Sequence, residues 1–173
     1  MSKLKVQSFA VSVDGYAAGP NQALQNPLGV RGAELLEWIF PTRMWKQMHG
    51  HDDGETSVDD GMVEQGFAGI GAWILRRNMV GPVRGSSPDG SWKGCWGEEP
   101  PYRTPVFVLT HYPRAPLRMP GGTTFHLVMQ GLDAALAPAA AAAGGRDVRL
   151  GGGVATVRQY LCAAAGSRHG RAA

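Results

Sequence analysis

The run Asp147-Val148-Arg149-Leu150-Gly151-Gly152-Gly153-Val154-Ala155-Thr156 reads as a short strand opening through three glycines into a helix. Glycine carries no Cβ, so bare backbone there can approach a phosphate closely. Val154, Val157 and Leu161 share one face of the following helix, whose first amides and dipole would then point at an anion beside the glycines. The alternative is a tight strand-to-helix turn that holds no ligand. The spacing is not the GxGxxG dinucleotide fingerprint: Thr156 follows Gly151 and Gly153, and no acid stands about 20 residues on to hold a ribose. No Gly-Lys-Ser/Thr of a Walker loop occurs either.

Two more groups of anion-binding side chains follow apolar runs. Arg76-Arg77-Asn78-Met79 ends the run Ala72-Trp73-Ile74-Leu75, and Thr110-His111-Tyr112-Pro113-Arg114 ends Val106-Phe107-Val108-Leu109. Strand ends are where open α/β sheets take ligands, and a hydroxyl, an imidazole and a guanidinium together suit a phosphate monoester. Each group alone also fits a solvated turn. Three of them on strand ends favour one shared phosphate site.

Other chemistry has less support. His49, His51, Asp52 and Asp53 lie in one polar stretch without HExxH or EF-hand spacing, so no metal site is expected. Cys95 and Cys162 stand alone, without the pairing of a zinc site or disulfide framework, and no GxSxG occurs. Trp92-Lys93-Gly94-Cys95-Trp96 could cover a flat ligand or pack on its own surface. Gly66, Gly69 and Gly71 precede a strand and suit close helix-strand packing.

Period-two alternation predicts a first strand over Lys5–Val13, ending at the turn Asp14-Gly15. A surface loop is expected over Tyr16–Gly32, and helical turns over Ala33–Phe40 and Thr42–Met48, broken at Pro41. His49–Glu64 holds six carboxylates expected to face water, with a helix beginning at a Ser57 or Asp59 cap. Gly81–Pro101 has no periodicity. Thr123–Met129 and Val148–Leu150 read as strands, and Leu132–Ala143 as an Ala-rich helix that Pro138 would delay or kink. Continuous apolar strands covered on both faces imply a parallel sheet, and strand-helix-strand order implies a three-layer α/β/α sandwich.

The 173 residues suit one domain, with 43% hydrophobic residues for its core. Seventeen Lys and Arg against fourteen Asp and Glu leave +3, an excess too small to indicate nucleic acid, even with Arg76, Arg77, Arg84 and Trp92. No signal peptide or membrane span is expected, which gives a soluble cytoplasmic protein.

Together, Ser12-Val13-Asp14-Gly15-Tyr16, Gly71–Met79, Pro105–His111, Gly122-Thr123-Thr124-Phe125 and Gly151–Ala155 resemble the dihydrofolate-reductase-like, RibD C-terminal-type family, in order and separation, across residues 3 to 161. The resemblance implies a reductase that holds NADPH along the strand ends and passes hydride to a small heterocyclic substrate of pteridine, pyrimidine or flavin type. It places Arg77 and Asn78 at the pyrophosphate and Thr110, His111 and Arg114 at the adenosine phosphate. Gly151, Gly152, Gly153, Val154, Ala155 and Thr156 would hold the remaining phosphate oxygens. Val13 and Ala18 would flank the nicotinamide, and Asp14 would be the catalytic residue nearest the substrate. It also implies a homodimer.

Two departures from the family stand out: Arg76 replaces a usual glycine, and the strands expected after Leu161 are missing. Residues 162–173 are expected to form a disordered or aberrant tail after truncation or a frame shift. The competing expectation is a truncated relative that binds nucleotide, or serves assembly, without turnover.

Overall fold

The structure, a computed structural model, describes residues 2–81 and 96–169. Its strands are β1 (Leu4–Lys5), β2 (Ile70–Arg76), β3 (Pro105–Leu109), β4 (Leu117–Arg118), β5 (Thr124–Val128) and β6 (Asp147–Gly151). They form one sheet in the order β1-β6-β2-β3-β5-β4, parallel throughout except for the antiparallel pair β4-β5. The helices are α1 (Arg43–Met48), α2 (Val58–Phe67), α3 (Arg77–Val80), α4 (Leu132–Ala142) and α5 (Val154–His169), with a 3-10 helix at Gly32–Leu36. Among the described residues no helix is long and apolar enough to cross a membrane.

The sheet is covered on both faces, as the apolar runs require. On one face Ala72, Ile74, Phe107, Val148 and Leu150 pack under Ala135, Ala139 and Ala143 of the α4 region and Tyr160 of α5. On the other, Trp73, Leu75, Val106, Val108 and Phe125 pack with Tyr102 and Met119, flanked by Phe67 and Trp96. The result is the mostly parallel α/β architecture expected, compatible with three layers. Burial pushes the Tyr160 phenol up to about 12, and its hydroxyl donates to the Leu132 carbonyl at 3.0 Å, tying α5 to the start of α4.

Local chemistry explains the helix ends. Ser57 caps α2 by accepting from the Asp60 amide, and Thr42 caps α1 by accepting from Trp45. Helix α4 begins at Leu132, against the expected late start, and continues through Pro138. Pro138 and Ala134 are both exposed, so the Ala134 carbonyl that loses its donor can be hydrated.

Four expectations need correction. The first strand stops at Lys5 instead of reaching Val13, because Ser8 turns into a left-handed conformation (φ 50°) and two bonds hold it off the sheet. The Gln7 carbonyl accepts from Arg149 Nη2 at 2.9 Å, and Ser8 Oγ donates to the Met62 carbonyl at 2.7 Å. Not all acids of the 49–64 stretch face water: Asp60 is 1% exposed, accepts from the Met44 amide at 2.7 Å and pairs with Arg43 at 3.2 Å. Ala33–Phe40 forms only the short 3-10 helix and turns. Finally, α5 continues past Leu161 to His169, where a tail was expected; Ala163, Ala164 and Ala165 are strong helix formers whose lack of periodicity hid this.

Arg149 is a buried charged side chain of β6. It lies 8% exposed over the rings of Trp73 and Phe67, at 4.6 and 5.1 Å, and also donates to the Gly66 carbonyl at 2.6 Å. Burial lowers its pKa to about 10, so at neutral pH it remains a cation held by rings and carbonyls.

The β1 edge depends on Asp147, whose carboxylate accepts from the Lys3 amide at 2.8 Å and pairs with Lys5 at 2.7 Å. The bond from Lys5, then that from Lys3, holds this carboxyl below its ordinary value. A lowered folded pKa means stability that is present above the unfolded pKa and lost as pH falls through the folded one. Acidification is therefore expected to release β1, read as faster exchange of the Val148 amide, which donates to the Lys3 carbonyl. Asp147→Asn should show that faster exchange at neutral pH and lose its acid dependence; unchanged exchange in the variant would exclude this tether.

Candidate functional site

The C-terminal ends of β6, β2, β3 and β5 lie side by side. Gly151 sits opposite Leu75, Arg76 opposite Leu109, and Leu109 opposite Val128. From β2 the chain moves outward to β3 and β5, then returns across α4 to place β6 on the other side of β2. Such a reversal leaves a crevice beyond the strand ends, where open α/β sheets bind ligands.

A cleft of about 510 Å³ opens there, and Arg76, Arg77, Asn78, Thr110, His111 and Thr156 all line it. No carboxylate is among its described lining residues. The cleft thus combines positive charge, neutral donors and the start of the sixteen-residue α5, whose first amides have no partner inside the helix.

Thr156 sharpens this picture. It is 1% exposed, its amide is used by the Gly153 carbonyl at 2.9 Å, and its Oγ1 has no hydrogen-bond partner. A threonine hydroxyl in a helix can bond back to a carbonyl one turn earlier, but this one does not. Leaving a buried hydroxyl unsatisfied costs about 1–3 kcal/mol. An acceptor arriving in the cleft would remove that cost.

The glycines bring the loop close to β2. A Cβ on Gly152 would stand 3.5 Å from the Arg76 amide nitrogen, and one on Gly151 would press on the Leu75 side chain at 2.7 Å. A Cβ on Gly153 would meet open space. Across the cleft, the Thr110 amide donates to the Val128 carbonyl at 3.0 Å, and Thr110 Oγ1 accepts from the Tyr112 amide at 3.1 Å. The Arg77 guanidinium lies over the Tyr112 ring, 5.5 Å from its centroid.

Of the residues singled out in the sequence, Arg77, Asn78, Thr110, His111 and Thr156 line the cleft, with Gly151, Gly152, Gly153, Val154 and Ala155 in the adjoining loop and helix start. Arg114 lies beyond the cleft lining. Val13, Asp14 and Ala18 are outside it as well. Val13 is fully exposed, and Asp14 accepts from Ser12 Oγ at 2.6 Å in a closed turn in which Gly15 adopts φ +90°. Arg76 and Tyr112, which stand in the two strand-end groups but were given no ligand role there, line the cleft too, as do Gly131 and Gln159, which were not singled out. The same strand-end rule covers the first three, and Gln159 lies one helical turn after Thr156.

A second, more apolar concavity of about 560 Å³ runs along Val6–Val11 under Leu35, Trp38 and Met62. Among the described residues no group of three metal-ligating side chains comes together. His49 instead contacts the Trp45 carbonyl through Nδ1 at 2.8 Å, and Asp53 pairs with Lys46 at 3.6 Å. Arg84, Trp92, Lys93, Gly94 and Cys95 lie outside the described residues. No protein-family model matches the chain, and comparison with curated proteins finds none significantly similar.

Proposed function

We propose that the basic cleft binds the phosphates of NADPH and that the chain is an NADPH-dependent reductase of a small heterocyclic substrate, working as a cytoplasmic homodimer. The observation that carries this reading is the buried Thr156 hydroxyl, unpartnered beside Arg76 and Arg77 at the start of α5. A diphosphate fits that donor set: guanidinium groups from β2 and α3, amides of α5 and the Thr156 hydroxyl converge on one anion. His111 is placed to meet a further phosphate.

NADPH, when bound, supplies the hydride. The chain's own residues bind and orient: Arg76 and Arg77 neutralise charge, Thr156 and the glycine loop set the depth of the phosphates, and the groove along Val6–Val11 offers a flat heterocycle an apolar surface. Asp14, next along the chain from that groove, would face the substrate once its turn opens.

Replacing Thr156 by valine keeps shape and removes the orphaned hydroxyl. The melting temperature should rise, while NADPH affinity in a fluorescence titration should fall about tenfold, as expected for a lost bond to a charged group. Absence of saturable NADPH binding by the parent protein would end this reading.

The exposed Val13 and the closed Ser12-Asp14 turn favour a second reading, a nucleotide-binding module without turnover. NADPH oxidation against a panel of pteridines, pyrimidines and flavins separates the two: binding without oxidation selects the module.

A further inference from the structure

The cleft is larger and less polar than a phosphate pair needs. Its volume of about 510 Å³ falls within the roughly 300–1,000 Å³ of sites that enclose a whole small molecule. Leu109, Val128 and Leu132 give it an apolar floor beside the arginines. At the rim stands Tyr112, 40% exposed, with its backbone pinned to Thr110 Oγ1 immediately after β3.

The Tyr112 ring already carries a flat, delocalised group, the Arg77 guanidinium. A nucleobase has the same requirement, an aromatic face to lie on, and any base can use it. A phosphate entering the cleft draws Arg77 toward itself by charge, and the ring face then becomes available to the base.

We infer that Tyr112 is the stacking platform that makes this cleft selective for a nucleoside diphosphate over a bare diphosphate. The inference rests on the phosphate-binding reading above and adds to it the residue that recognises the base. Arg77 lies on the Tyr112 ring before binding and turns to the ligand phosphate on binding.

Calorimetric titration of the full chain with inorganic pyrophosphate and with adenosine diphosphate tests this. Adenosine diphosphate should bind about tenfold tighter, the scale of one base stacked on an aromatic side chain. Tyr112→Ala should abolish that advantage, bringing the two probes to equal affinity, and its retained binding of pyrophosphate shows that the variant is folded; Tyr112→Phe should retain the advantage. If pyrophosphate binds and adenosine diphosphate gains nothing, or keeps its advantage in Tyr112→Ala, the platform is refuted and the phosphate site stands. If neither probe binds the parent protein, the phosphate site falls, and the platform with it.

Discussion

Gly152→Asp is expected to weaken NADPH binding by about a hundredfold with the fold preserved. The new Cβ would make only ordinary contacts, 3.5 Å from the Arg76 amide nitrogen and 3.8 Å from the Thr156 Cβ, so the side chain has room, but at the Gly152 φ of +157° any side chain is strained, and the variant should melt below the parent while remaining folded. Its carboxylate would arrive between the arginines and the start of α5, a position that favours negative charge. It would therefore satisfy the very groups a phosphate needs, and repel the phosphate as well. Like charges brought together at a binding surface cost several kcal/mol, and about 3 kcal/mol corresponds to roughly a hundredfold in affinity. Fluorescence titration with NADPH reads the loss, and thermal melting checks the fold. A well-folded variant with parental affinity would move the site away from the glycine loop.

Much of this arrangement is legible in the sequence because three independent chemical groups each follow an apolar run. Residues after Leu75, after Leu109 and after Leu150 have to meet if those runs are adjacent parallel strands, and the registers place them so. The first strand is not legible in the same way. Phe9, Val11 and Val13 alternate as a strand should, but alternation says nothing about Arg149, 142 residues away, whose guanidinium claims the Gln7 carbonyl. Asp60 is similar: local polarity suggests water, whereas the Met44 amide and Arg43 make burial tolerable. The antiparallel β4 has two residues, too few to carry a pattern.

Arg149 and Thr156 sit on either side of the three glycines, and among the described residues both have a buried polar atom without a partner, Nε in one and Oγ1 in the other. They differ in what the rest of the side chain does. Arg149 spends its other nitrogens on Gly66 and Gln7 and its plane on Trp73 and Phe67, so a single unused N–H is the remainder of a largely satisfied group. The Thr156 hydroxyl has nothing else to offer, and it lines the cleft beyond the strand ends. This contrast gives Arg149 the task of holding residues 7 and 66 together and leaves the Thr156 hydroxyl as the group on which the proposed phosphate site rests.

The largest effect on stability is expected at Gly71, where α4 ends against β2. A Cβ there would collide with the Ala143 carbonyl oxygen and stand 2.8 Å from its Cα, both of them backbone atoms that no rotamer change can move. The neighbouring pairing already shifts register between Ile70 and Ala72, so the strand has little further room to adjust. Overpacking of this kind costs typically about 1–3 kcal/mol, and collision with backbone places Gly71→Ala near the upper end. For a chain of this size that is a fall of roughly 6–12 °C in melting temperature. Gly61, inside α2, is the counterpart: a Cβ there meets nothing within 4 Å, so Gly61→Ala should gain about 0.5–1 kcal/mol from helix propensity alone. The same chemical change thus carries opposite signs at two glycines ten residues apart. Thermal melting of the two variants side by side would decide it: a Gly71→Ala protein as stable as the parent would mean that α4 does not pack against β2 as closely as the structure has it.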